Sequence, residues 1–182
     1  MFTKIRSLFT IVVIFLQKIW DNIYRFFAGI PTLKRSQITA NIFLGSQYTL
    51  LGLQKLKALG ITAIVNMRLH PVYAESKYEG FHYLHLPTVD NTPPSIDTLL
   101  KGIDFVALEI KSGGKVYIHC RQGLGRGPTM TIAYLISTGL TYEDAFALVK
   151  KVRTFINPRP GQIQRLKELQ QYYANKSTII TT

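Results

Sequence analysis

The chain has 182 residues, 47% of them hydrophobic, which is enough for one compact domain with a short extension and too much for wholesale disorder. A single cysteine excludes an internal disulfide scaffold and zinc sites built on two or more cysteines. Lys and Arg number 22 against 10 Asp and Glu, a formal net charge of +12, which favours anionic partners: phosphorylated molecules, nucleic acid or an anionic membrane surface.

Residues 1–35 hold six basic groups and one acid, Asp21. Leu8 to Leu16 is almost wholly apolar, but it is half the length of a membrane span of about 20 residues. Helical spacing over residues 4–27 puts Lys4, Ser7, Thr10, Gln17, Lys18, Asp21, Asn22 and Arg25 on one face. Leu8, Val12, Phe15, Leu16, Ile19, Ile23, Phe26 and Phe27 fall on the other; Ile11 and Ile14 land on the polar side. The pattern predicts an amphipathic helix over residues 1–30. Its basic groups, Trp20 and phenylalanines read as a helix lying in a membrane interface, on the cytoplasmic face. A signal anchor, a cleaved signal peptide and docking onto the domain's own core are the rival readings. No small-x-small cleavage site follows, since Phe26 sits two before Ala28. Ile30-Pro31 ends the helix, and residues 31–37 read as a basic linker.

The rest alternates. Strands are predicted at 41–45, 61–67, 81–86 and 115–119, and helices at 49–59, 96–110, 127–137, 142–153 and 161–173. Ser95 is the predicted N-cap of the second of these helices. The alternation implies an α/β domain over 38–175: a central, mostly parallel sheet of four to five strands flanked by helices. Residues 176–182 read as a frayed tail.

The chemistry concentrates in Val116-Tyr-Ile-His-Cys-Arg-Gln-Gly-Leu-Gly-Arg-Gly-Pro-Thr-Met130. A strand ends at His119, a glycine-containing loop follows, and Arg126 opens a helix. The amides of Arg121, Gln122, Gly123, Leu124, Gly125 and Arg126 can converge as an anion nest at the positive end of that helix. Gly123 and Gly125 permit the tight backbone. Arg126 can grip two phosphate oxygens, and Arg121 faces the loop mouth. That field favours a thiolate at Cys120, which would attack phosphorus to give a cysteinyl-phosphate released by water.

His119-Cys120-Arg-Gln-Gly-Leu-Gly-Arg126 matches the H-C-(five residues)-R signature of the cysteine-dependent protein tyrosine phosphatases. The chain resembles their small atypical dual-specificity members from about Ile38 to Tyr173. The resemblance implies that His119 orders the loop and that Asp90, thirty residues before Cys120 in Leu86-Pro-Thr-Val-Asp-Asn-Thr-Pro-Pro94, is the general acid. Asp97 and Asp104 fall inside the next helix. Gln162 and Gln164 lie where some members place residues near the attacking water. One position departs from the pattern: the residue after the loop arginine is usually Ser or Thr, whereas here it is Gly127, followed by Pro128, with Thr129 an uncertain replacement. Attack by Cys120 is expected to survive and hydrolysis of the phosphoenzyme to be slow.

The resemblance implies a phosphomonoester hydrolase with a shallow cleft, taking phosphotyrosine and phosphoserine/threonine, and needing no cofactor and no metal. The same fold hosts phosphatidylglycerophosphate, phosphoinositide and RNA 5′-phosphate enzymes. The amphipathic helix favours a phospholipid or a membrane-bound phosphoprotein, while Leu124 stands where polyphosphoinositide enzymes carry a second basic residue. Nucleic acid is disfavoured, because no basic patch is interleaved with aromatics. The remaining alternative is a phosphate-binding module stalled by Gly127.

Overall fold

The computed structural model describes residues 2–180; the side chains at positions 1–8 and 177–182 lie outside the described set, including the expected face members Lys4, Ser7 and Leu8. In chain order the elements are α1 (Phe2–Ala28), β1 (Ile42–Gly45), α2 (Leu50–Ala58), β2 (Ala63–Asn66), β3 (His82–His85) and α3 (Ile96–Lys111). There follow β4 (Val116–His119), α4 (Arg126–Ser137), α5 (Tyr142–Val152) and α6 (Pro160–Ile180). Short 3-10 turns lie at Leu33–Arg35 and Glu75–Tyr78.

The four strands form one sheet in the order β1-β4-β2-β3, every pairing parallel. β4 lies between β1 and β2 and is buried along its length. Both faces are covered, which is why Val116-Tyr-Ile118 reads as an apolar run. Val116 and Ile118 join the larger core with α3, α4, α5 and α6. Tyr117 turns to the opposite face, where α2 contributes Leu53 and Leu56 beside Tyr48 and Tyr78. Three helices start on hydroxyl caps: Thr49, Ser95 and Thr141 accept from the N–H groups of Gly52, Thr98 and Asp144. Each such cap contributes about 1 kcal/mol. α6 runs on to Ile180, past the point where the frayed tail was expected to begin.

Helix α1 sits on the domain the opposite way round from an ordinary amphipathic helix. Gln17, Lys18, Asp21 and Arg25 of its polar side are half-buried or buried against the domain, while Thr10 and Asn22 stay exposed. Asp21 is 3% exposed, and the Thr154 hydroxyl donates to Gln17 Oε1 at 2.6 Å. Its apolar side faces out, with Phe15 60%, Trp20 56%, Phe26 77% and Phe27 74% exposed. The helix stops at Gly29, two residues before Pro31; Gly29 takes a φ of +82°, and a Cβ there would meet Gly52 N at 2.5 Å. A left-handed glycine just past the last turn satisfies the final carbonyls. Residues 31–37 are packed rather than loose: the Ser36 carbonyl accepts from Leu44 N–H, and Gln37 makes an isolated antiparallel bridge to Phe43. Among the described residues, no helix is long and apolar enough to cross a membrane.

Open α/β sheets bind ligands beyond the carboxyl ends of their strands. Here the central strand β4 ends at His119 and delivers Cys120 to that edge.

Candidate active site

The loop between β4 and α4 is shaped by its carbonyls. All six from Cys120 to Gly125 have donors from outside the loop. His119 Nδ1 donates to Cys120 O, and Gln47 N–H to Arg121 O. Arg153 takes two, through Nη2 to Gln122 O at 3.0 Å and Nε to Gly123 O at 2.9 Å. Asn157 N–H holds Leu124 O, and the Thr129 N–H and hydroxyl both hold Gly125 O. A peptide N–H points opposite its carbonyl, so carbonyls turned outward leave the amides facing in. Gly123 N–H donates to Cys120 Sγ at 3.3 Å. Gly123 has a φ of +67°, and a Cβ there would stand 2.6 Å from Gly45 O, so the turn requires glycine.

The cleft above the sulfur has a volume of about 250 Å³. Asp90, Arg121, Gln122, Leu124, Gly125 and Arg126 line it together with Cys120. Arg126 is 4% exposed. Its Nη1 donates to Thr88 O at 2.9 Å, and its Nη2 lies 3.0 Å from Asp90 Oδ1. Its Nε–H is buried with no partner among the described residues. Asp90 is itself largely exposed. It precedes Asn91, whose φ of 62° makes the sharp turn that Asn tolerates. Asp97 and Asp104 are exposed on α3 and do not line the cleft.

His119 is fully buried against Tyr48, with ring centroids 4.9 Å apart. Burial pushes its pKa down to about 3, offset only partly by its bond to the Cys120 carbonyl. The ring is therefore neutral at physiological pH. Because a carbonyl can only accept, Nδ1 carries the proton.

Of the two glutamines, Gln162 lines the cleft and Gln164 is exposed and bonded to Glu168. The Gln162 amide is occupied on both sides: Oε1 accepts from Arg159 N–H and Nε2 donates to Thr92 O. It ties α6 to the loop carrying Asp90. Thr129 spends its hydroxyl on Gly125 O. Sequence reasoning missed Arg153, Thr88, Asn157 and Gln47, all of which act through backbone groups far away in the chain. Arg153 alone left a trace, as an arginine at the end of an amphipathic helix.

The family model for the dual-specificity phosphatase catalytic domain matches residues 42–172. The chain belongs to the dual-specificity phosphatase family. Mouse dual specificity protein phosphatase 1 is 34% identical over 125 residues, 67% of this chain and 33% of that protein. Human phosphatidylglycerophosphatase and protein-tyrosine phosphatase 1 is 41% identical over 107 residues, 57% of this chain and 53% of that one. The chain thus spans a third to a half of the length of these relatives. A crystal structure of PTPMT1 in complex with PI(5)P superposes with a TM-score of 0.72 at 27% identity, covering 77% of this chain and 96% of that one. Within this dual-specificity phosphatase domain, Gly127 leaves no hydroxyl beside the sulfur. A Cβ there would lie 3.4 Å from Cys120 N and 3.1 Å from Leu44 Cδ1.

Proposed function

We propose that the chain hydrolyses phosphomonoesters through a cysteinyl-phosphate, as a dual-specificity protein phosphatase. The observation that carries this reading is Cys120 Sγ accepting a loop amide, with the buried Arg126 lining the same cleft. A phosphate oxygen satisfies the unpartnered Arg126 Nε–H. Sγ attacks phosphorus as the ester P–O bond breaks, and Asp90 gives its proton to the departing oxygen. Water then attacks the phosphocysteine, losing a proton to the same carboxylate and returning the sulfur as thiolate. Neutral His119 takes no proton in either step; it holds the Cys120 carbonyl.

Gly127 slows the second step, because no side-chain hydroxyl there stabilises the departing sulfur. Rapid mixing with para-nitrophenyl phosphate is expected to give a burst of about one equivalent of nitrophenolate per chain, then a slower steady rate. A hydrogen bond to a charged group is worth about 1.5–3 kcal/mol. Gly127→Ser is therefore expected to raise the slow phase about tenfold, with Leu44 yielding slightly to the new Cβ. No release of nitrophenolate by the wild type would sink the reading and leave a phosphate-binding module.

A phospholipid substrate is the second reading, favoured by the outward apolar face of α1. With Lys34 exposed just after that helix and a formal net charge of +12 on the chain, the face suits an anionic bilayer surface, with the helix lying in the interface. Anionic vesicles are expected to shift the emission of Trp20, the only tryptophan, to shorter wavelength; an unchanged spectrum removes the membrane from the account. Phosphate release from a phosphotyrosine peptide, compared with phosphatidylglycerophosphate in vesicles, ranks the two substrate classes.

A further inference from the structure

Arg153 is fully buried, 0% exposed, and the described hydrogen bonds of its guanidinium all meet the back of the catalytic loop or the N-terminal segment. Besides the carbonyls of Gln122 and Gly123, Nη1 donates to Arg35 O at 3.3 Å and Nη2 meets Asp21 Oδ2 at 3.2 Å. Its guanidinium also lies over the Phe155 ring, 4.5 Å from the centroid. The other Asp21 oxygen accepts from the Thr32 N–H and hydroxyl, each at 3.4 Å. Buried cations persist only when paired, and the carboxylate that pairs this one comes from α1, 132 residues earlier. The contacts form a chain: Asp21 to Arg153, Arg153 to the Gly123 carbonyl, and the Gly123 N–H to Cys120 Sγ.

We infer that Asp21 is a positioning residue for catalysis, and that helix α1, acting through Arg153, holds the phosphate loop in its working shape. The inference rests on the reading of Cys120 as the nucleophile. Without the Asp21 carboxylate, Arg153 is a buried, unneutralised charge that moves toward water and releases both loop carbonyls. The Gly123 amide then no longer points at the sulfur. Burial presses the Arg153 pKa down, and Asp21 is the largest influence opposing it. Thr154 and Gln17 form a second polar seat of α1, and this bond does not involve the loop, so it separates docking of the helix from support of the loop.

The test uses the full chain with Asp21→Asn, Arg153→Met, the double variant, and Gln17→Ala as the docking control. The asparagine keeps the shape of Asp21 and removes its charge. Two rates are read: kcat for para-nitrophenyl phosphate and alkylation of Cys120 by iodoacetamide. Each single loop variant is expected to lose about tenfold in both, Gln17→Ala to lose nothing, and the double to match Arg153→Met, because residues acting through one another are not additive. A double variant about a hundredfold down, or Asp21→Asn at the wild-type rate, overturns the inference. If Asp21→Asn fails to fold, Arg153→Met and the double still decide, since both lack the stranded cation; a slower double overturns it. A wild type with no turnover sinks the hydrolase reading instead, and the alkylation rates then carry the test alone.

Discussion

Cys120→Ser is expected to abolish phosphate release, by roughly 10⁴-fold or more, while leaving the fold and phosphate binding intact. Cys120 is 3% exposed, and Gly123 N–H points at its sulfur from 3.3 Å. An oxygen in its place is smaller and remains protonated at neutral pH, so it is a poor nucleophile in the same position. The anion-binding parts are untouched. The loop carbonyls keep their outside donors, and Arg126 stays anchored on Thr88 O. The variant should therefore hold tungstate about as tightly as the wild type and trap phosphorylated substrate. Turnover in Cys120→Ser above background would exclude a phosphocysteine.

Asp90→Asn is expected to cost about 10²–10⁴-fold on an alkyl phosphate such as a phosphoserine peptide, the usual worth of a positioned proton donor. On para-nitrophenyl phosphate the loss should be smaller, since nitrophenolate departs without a proton. The Asp90 loop is fixed from three sides: Arg126 Nη1 on Thr88 O, Arg159 Nε on Asn91 Oδ1, and Gln162 Nε2 on Thr92 O. The carboxylate is thus held 3.0 Å from Arg126 Nη2. Equal losses on both substrates would assign Asp90 to holding Arg126 rather than to donating a proton.

The strand–loop–helix around Cys120 was legible because its signals are local. An apolar run, two glycines and an arginine at a helix start lie within one short stretch, and the parallel sheet follows from alternating periods of two and 3.6. The Ser95 cap was legible for the same reason. The hidden features are those whose partners are far apart in sequence. Arg153 looks like a solvated helix end until Asp21 arrives beneath it. The available clue was that Asp21 is the single acid among residues 1–35. Helical periodicity divided α1 into two faces but could not say which one the domain would take. Burial of Asp21 reverses the usual choice, because one paired charge and a hydroxyl–amide bond seat the helix. Gln162 was legible as a position near the site, but not as a clamp on the Asp90 loop, since its amide meets Thr92 O across 70 residues.

The inverted seating of α1 also governs how the molecule behaves in bulk water. A folded protein showing Phe15, Trp20, Phe26 and Phe27 to solvent is a surfactant: it collects at air–water and plastic surfaces and self-associates as its concentration rises. The common remedy is to cut such a helix away. Here the cut also removes the carboxylate facing Arg153 and strands a guanidinium inside the domain. Better handling and an intact loop therefore pull in opposite directions. Solubility is better sought by replacing the outward aromatics one at a time, with Asp21 and Gln17 left in place.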